Sequence, residues 1–177
     1  MKKKLEILKG KRVFTANIDI FSFFSGVGFL DLGFEEADIP VGFVNEYLPS
    51  FMRGYKYSRL KLGKNKPEYG YYEGDVCDFL KPELAEVLKK NVNHSRKLEK
   101  IVGFIAGPPC PDVSVGGKNR GINGEHGKLS QTYMNLVIMQ KPDFFLFENV
   151  KGLWRTKKHR EFYEKIKSEA QHVGYIT

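Results

Sequence analysis

Cysteine is scarce in this chain: Cys77 and Cys110 are the two among 177 residues. That excludes a disulfide framework and a cysteine-built zinc site. The four histidines, His94, His126, His159 and His172, are scattered, and no pair has the spacing of metal ligands, so no metal is expected. No stretch approaches the roughly eighteen consecutive apolar residues that a membrane span needs. Met1-Lys2-Lys3-Lys4 has the charge of a signal n-region, but Glu6 and Lys9 interrupt the apolar residues that follow, so no h-region forms. Internal repeats and long low-complexity runs are also lacking. The chain reads as reduced, cytoplasmic and without a membrane partner.

What is present is a basic, core-forming composition. Lys and Arg number 29 against 21 Asp and Glu, a net charge of +8. A hydrophobic content of 41% with 14% aromatics can build a packed interior, which excludes a disordered chain. The length suits one α/β domain rather than two. The positive balance suits a polyanionic partner such as nucleic acid, although a solvated basic surface would give the same count.

Strand-like and helix-like segments alternate along the chain, which points to a mostly parallel sheet covered on both faces. Residues 1–16 form a basic N-terminal segment. Ile18 to Phe24 reads as a buried strand and Phe29 to Ala37 as a helix, with Glu35 and Glu36 facing out. Val41 to Val44 reads as a second strand ending at Asn45-Glu46. Leu48 to Leu60 is a helix with Pro49 in its first turn. Residues 61–72 read as a loop with a short strand at Tyr71-Tyr72. Pro82 to Asn91 is a helix and Asn93 to Lys100 a polar connection. Ile101 to Ala106 is a strand, residues 111–128 have no period, and Leu129 to Gln140 is a helix. Phe144 to Phe147 is the most apolar strand. Lys157 to Val173 is a basic exposed helix, and Tyr175-Ile176-Thr177 begins a strand-like run.

Several places can carry chemistry. Phe24-Ser25-Gly26-Val27-Gly28 joins a strand to a helix, where glycines allow close approach and free N–H groups face a ligand. Dinucleotide- and S-adenosylmethionine-binding folds share such a turn. Glu46, at the end of the next strand, can accept bonds from both hydroxyls of a ribose. Asp75, read as ending the third strand, can accept from an adenine amino group, or else cap a helix. Gly107-Pro108-Pro109-Cys110 sets a thiol on a stiff backbone at a strand's C-terminal end. Cys77 lacks such a setting and reads as structural. Glu148 emerges from an apolar strand at the lip of a desolvated niche, where burial raises a carboxyl pKa. Ser25, Glu46, Cys110 and Glu148 would then lie along one edge of the sheet. Lys118, Arg120 and Lys128 in and after the loop can grip phosphates. Lys157, Lys158 and Arg160 add further positive charge. A dehydrogenase would explain the glycine turn but leaves Cys110 and Glu148 without a role.

The order of these motifs resembles the DNA (cytosine-5) methyltransferases. Asp19-Ile20-Phe21 with Phe24-Ser25-Gly26-Val27-Gly28 resembles the family's first motif, Asn45-Glu46-Tyr47 its ribose-binding acid with a neighbouring aromatic, and Gly74-Asp75-Val76 its adenine-side motif. Gly107-Pro108-Pro109-Cys110, followed by Ser114, Gly116-Gly117-Lys118 and Gly121, is similar to the nucleophile loop. Phe147-Glu148-Asn149-Val150 is similar to the motif of the catalytic Glu. The resemblance covers roughly residues 17–153.

It implies a three-layer α/β/α sandwich, Rossmann-like, with strands ordered 3-2-1-4-5 and incomplete at the C-terminus. Residues 17–177 would be part of an S-adenosylmethionine-binding catalytic domain. Cys110 and Glu148 are implied as catalytic. Phe24, Ser25, Gly26, Gly28, Glu46, Tyr47, Asp75, Val76 and Pro109 are implied as cofactor contacts. Ser114, Lys118, Arg120 and Lys128 are implied as contacts to double-stranded DNA. Two residues depart from the family pattern: Pro111 stands where Gln is usual, and Val113 where an aromatic is common. The family's arginine-bearing motif and target-recognition region normally follow the sixth motif. The expectation is therefore a chain that needs a complementing C-terminal half and alone binds cofactor weakly. Cytosine methylation in RNA, or a non-catalytic module that binds nucleic acid or a partner chain, are the other readings the residues leave open.

Overall fold

The computed structural model describes residues 17–109, 128–149 and 160–177 in full, and the backbone of residues 7–8, 11–12, 125–127 and 157–159. Near the N-terminus β1 (Ile7–Leu8) pairs antiparallel with β2 (Lys11–Arg12). The main sheet holds β3 (Ile18–Phe23), β4 (Val41–Glu46), β5 (Tyr71–Glu73), β6 (Ile101–Ala106) and β7 (Phe144–Phe147). All pairings are parallel and the order is β5-β4-β3-β6-β7. Numbered from β3, that is the expected 3-2-1-4-5.

Aromatic and branched residues make these strands, and both faces are buried because helices cover both. On one face Ile20, Val44 and Ile105 pack with Met52 and Tyr55 of α2 (Pro49–Lys61) and with Leu30 and Phe34 of α1 (Phe29–Glu36). On the other, Phe21, Phe23, Phe43 and Phe104 form an aromatic layer with centroids 5.1 to 5.9 Å apart. A 3₁₀ turn, Val76–Leu80, covers that layer together with α3 (Pro82–Lys97), α4 (Glu125–Gln140) and α5 (Lys157–His172). Tyr133 of α4 sets its hydroxyl 2.9 Å from the Phe104 carbonyl and 3.0 Å from that of Leu146, tying β6 to β7.

Several expectations are corrected. Helix α3 runs on to Lys97, so the supposed polar connection is mostly helix. Ser95 turns inward to donate to the Asp19 carboxylate at 2.7 Å, while His94, Arg96 and Lys97 complement the negative end of the helix dipole. Helix α5 is not wholly exposed: Phe162, Ile166 and Ala170 recur every fourth residue and bury one stripe. Residues 175–177 form no strand; the Tyr175 ring packs edge-on against Phe145 and its hydroxyl donates to the Pro142 carbonyl. The third strand stops at Glu73, so Asp75 lies past it and caps the 3₁₀ turn, its Oδ1 accepting from the Cys77 N–H at 2.8 Å. Asp19 is buried inside a strand read as apolar. Its carboxylate lies against Gly42, the extra residue of a bulge between the pairs Ile20↔Val41 and Phe21↔Phe43.

Glu35 does not face solvent alone. It pairs with the buried Arg59 at 2.9 Å, and Glu36 pairs with Lys64 at 2.7 Å. Arg59 belongs to a buried polar network under α1. Asp31 accepts from the Ser22 hydroxyl at 2.7 Å and from the Tyr55 hydroxyl at 2.9 Å. The Arg59 guanidinium stacks 4.2 Å over the Tyr55 ring.

Two outcomes follow from this packing. A Cβ at Gly103 would overlap the Phe144 ring, so Gly103→Ala is expected to cost about 1–3 kcal/mol, read as a lowered urea midpoint. The second concerns Asp31, whose carboxyl lies above the ordinary carboxylate range. Burial is the main cause, opposed by the Ser22 and Tyr55 hydroxyls and the Arg59 charge. A folded-state pKa above the unfolded one contributes stability below the unfolded value, and that contribution fades as pH rises through the folded value. Wild-type stability relative to Asp31→Asn should therefore decline as pH is raised above about 4. Urea unfolding at stepped pH reads this, and a difference that widens with pH would contradict it.

Candidate functional site

Because every strand of the main sheet runs the same way, the C-terminal ends of β3, β4, β6 and β7 meet at one edge. Register fixes their level: Phe23 lies opposite Ala106, and Ala106 opposite Phe147. The turn after β3 is strongly bent. Phe24, Gly26 and Gly28 all have positive φ, at 54°, 57° and 88°. For Phe24 that is a sparsely populated conformation costing on the order of 1 kcal/mol. The Ser25 N–H donates to the Asn45 carbonyl at 3.1 Å and the Gly28 N–H to the Ser25 carbonyl at 2.9 Å, which holds the bend.

Glu46 is the clasp of this edge. Only 6% exposed, it accepts the Gly26 N–H with Oε2 and the Leu48 N–H with Oε1, both at 2.8 Å. One carboxylate therefore joins the turn after β3 to the start of α2. Asn45 beside it donates to the Tyr72 and Gly74 carbonyls at 3.2 and 2.9 Å, and the Gly74 N–H returns to the Glu46 carbonyl at 3.0 Å. Tyr47 is 64% exposed and stands free at the rim. Val76 is buried, with its side chain in the core.

Two observations bear on whether a ligand fits here. A Cβ at Gly26 would meet nothing within 4 Å, so there is open space in front of that peptide. The Ser25 hydroxyl is buried and has no hydrogen-bond partner among the described residues. Both suit a polar ligand laid against the turn. Gly28 is glycine for another reason: a Cβ there would lie 2.5 Å from the Tyr55 ring and 2.8 Å from Arg59 Nη1.

At the other side of the edge, Glu148 follows β7 and donates its N–H to the Ala106 carbonyl at 2.8 Å. Its Oε2 would lie 3.1 Å from a Cβ at Gly107, so the carboxylate passes over the residue that opens the Gly107-Pro108-Pro109 run. Glu148 is exposed, not desolvated as expected; among the described residues β7 is the last strand of the sheet and its residues are only partly buried. Pro108 is buried and Pro109 exposed. Cys110, Ser114, Lys118 and Arg120 lie outside the described residues. Lys128, near the start of α4, is exposed.

Cys77 is a poor nucleophile in this setting. It is partly buried, 3.6 Å from the Thr132 hydroxyl, and burial pushes its thiol above the ordinary range. Among the described residues no cluster of three or more His, Cys, Asp or Glu is placed to hold a metal, and no helix is long and apolar enough to cross a membrane. Sequence reasoning missed Ser22, Asp31, Tyr55 and Arg59. The one local signal is that Tyr55 and Arg59 stand four apart on a helix, on the same face.

A family model for C-5 cytosine-specific DNA methylase matches residues 18–177. The type II methyltransferase M.NmeDI of Neisseria meningitidis serogroup C is 53% identical over 157 residues, which are 89% of this chain and 37% of that protein. M.FnuDI of Fusobacterium nucleatum, also a type II methyltransferase, is 36% identical over 156 residues, 88% of this chain and 39% of its own. A crystal structure assigned as a DNA modification methyltransferase from an E. coli prophage superposes with a TM-score of 0.59 at 25% identity. It covers 88% of this chain and 38% of that one. The chain thus spans well under half the length of these relatives. The parallel sheet with helices on both faces is the Rossmann-like methyltransferase fold, and the chain belongs to the C-5 cytosine-specific DNA methylase family.

Proposed function

We propose that this chain carries the cofactor niche and the reacting side chains of an enzyme that methylates C5 of cytosine in double-stranded DNA, within a type II restriction-modification system of the cytoplasm. The observation that carries the reading is the shared edge. The Glu46 clasp on the glycine turn and the Glu148 carboxylate over Gly107 stand at the same level of one parallel sheet. A complementing C-terminal half, in the same or a second chain, would supply target recognition.

S-adenosylmethionine, when bound, supplies an electrophilic methyl group. Phe24, Ser25, Gly26, Gly28, Glu46, Tyr47, Asp75, Val76 and Pro109 would hold it. Each Glu46 oxygen accepts one backbone N–H and keeps a lone pair for a ribose hydroxyl. Asp75 has committed Oδ1 to its cap and has Oδ2 left for an adenine amino group.

C5 of cytosine is a weak nucleophile. The Cys110 thiolate adds to C6, forming the S–C6 bond and moving the C5–C6 π electrons toward C5 and the ring. Glu148 holds N3 and the exocyclic amine, where charge develops. After C5 has been alkylated, loss of its proton and departure of the thiolate restore the aromatic ring. A stacked base cannot be reached in this way and must be flipped out. Ser114, Lys118, Arg120 and Lys128 would contact the DNA, the cations holding the flanking phosphates.

Calorimetric titration with S-adenosylhomocysteine tests the cofactor half. Glu46→Ala should weaken binding by about tenfold or more, since hydrogen bonds to a charged group are each worth roughly 1.5–3 kcal/mol. Equal affinity in both proteins would refute the clasp as a ribose site. Duplex DNA carrying 5-fluorocytosine tests the chemistry: an SDS-stable adduct should survive Cys77→Ser and vanish in Cys110→Ser. The reverse pattern would reassign the nucleophile, an adduct on RNA alone would change the substrate, and the absence of any adduct even with the complementing half added would favour the non-catalytic module.

A further inference from the structure

We infer that Arg59 is a positioning residue for the cofactor turn, acting from beneath it without touching the ligand; this rests on the reading of the turn as the S-adenosylmethionine niche. Arg59 is 3% exposed and lies near the end of α2. Its Nη2 donates to the Gly28 carbonyl at 2.6 Å, a charge-assisted bond to the residue that ends the turn. The same carbonyl accepts the Leu32 N–H at 2.9 Å, the first helical bond of α1. Gly28 is the N-cap of α1 and no side chain caps that end, so the guanidinium is the side-chain group that holds the N-cap residue, through its carbonyl.

The turn is thereby held at two points from one segment. Glu46 takes the Gly26 N–H from the side, and Arg59 gives to the Gly28 carbonyl from below. Helix α2 is the spacer between them, its own start fixed by the Leu48 N–H on Glu46. Because Gly28 has no side chain, the Tyr55 ring and the guanidinium stacked on it reach the backbone directly. Three separate groups use the guanidinium: the Gly28 carbonyl, the Glu35 carboxylate at 2.9 Å and the Ser58 hydroxyl at 3.2 Å. A lysine ammonium has no planar fork to meet all three at once. Tyr55 also binds Asp31, but that bond stabilises α1 against α2 and does not reach the turn.

The two roles separate experimentally. Tyr55→Phe should lower the urea midpoint while leaving S-adenosylhomocysteine affinity within about twofold, since it removes only the hydroxyl bond. Arg59→Lys, which keeps the charge and most of the stem, should weaken that affinity by about tenfold, as expected for a lost charge-assisted bond that held the site's geometry. In the unliganded proteins, amide hydrogen exchange at Gly26 should quicken in Arg59→Lys and stay unchanged in Tyr55→Phe. Arg59→Lys with wild-type affinity and wild-type exchange at Gly26 would overturn the proposal, whatever its stability. Equal losses of affinity in both variants would also overturn it, since they would reduce Arg59 to general packing. A wild-type protein that binds no S-adenosylhomocysteine would instead sink the cofactor reading, and exchange at Gly26 would still decide the role of Arg59.

Discussion

The carboxylate of Glu46 is the joint on which the site edge depends. Its two oxygens hold backbone N–H groups that are separated by 22 residues of chain, Gly26 on one and Leu48 on the other. Hydrogen bonds to a charged acceptor are each worth roughly 1.5–3 kcal/mol, and the accepting carboxylate is buried. They fix the glycine turn relative to helix α2, and through α2 they fix what lies beneath the turn. A strand-end acid read only as a ligand group would have no need of this burial. The structural role uses one lone pair of each oxygen and leaves another for the ribose proposed to bind there.

The network under α1 is costly by the usual rules. Asp31, Glu35 and Arg59 place three ionisable groups in or near the interior, and stripping one partner from such a set commonly costs about 3–5 kcal/mol. Apolar residues of the same shape would pack there with less risk. What they lack is a donor that reaches the Gly28 carbonyl from below. The conformation of the turn explains why a donor is needed. With Phe24, Gly26 and Gly28 all left-handed, the segment from 24 to 28 is neither strand nor helix and makes few ladder bonds of its own. Bonds from outside must hold it.

How far the sequence carried depends on the kind of signal. Strands β6 and β7 were readable to the residue, because a short apolar run bounded by a break has one natural length. The positions of the glycine turn, Glu46 and Glu148 at C-terminal strand ends were readable because each lies at or just after the end of an apolar strand. The misses have one cause. Ser95, Asp31 and Arg59 are polar residues whose partners lie far along the chain, at Asp19, at Ser22 and Tyr55, and at Gly28. Periodicity assigns such residues to the solvent face, so α3 was cut short and Glu35 was turned outward. The bulge at Gly42 is a single extra residue, too small to disturb an apolar pattern. Glu148 was expected to be desolvated because its strand is apolar, but apolarity does not reveal that the strand's residues are only partly buried.

Strand order then constrains how the two acids are used. Glu46 ends β4 and Glu148 follows β7, with β3 and β6 between them. Neighbouring strands lie about 4.8 Å apart, so three steps separate the two strand ends by roughly 14 Å. That is too far for both carboxylates to grip one small group, and close enough for two ligands to meet between them. The residues in the gap fit this division. The turn after β3 has open space in front of Gly26, where a ligand could lie against the backbone. The run after β6 opens with Gly107, whose lack of a side chain lets the Glu148 carboxylate lean inward. The transfer proposed between two bound molecules fits this order, with Glu46 to one side, Glu148 to the other and the Gly107-Pro108-Pro109 run between them. One molecule held at both ends would call for acids on adjacent strands.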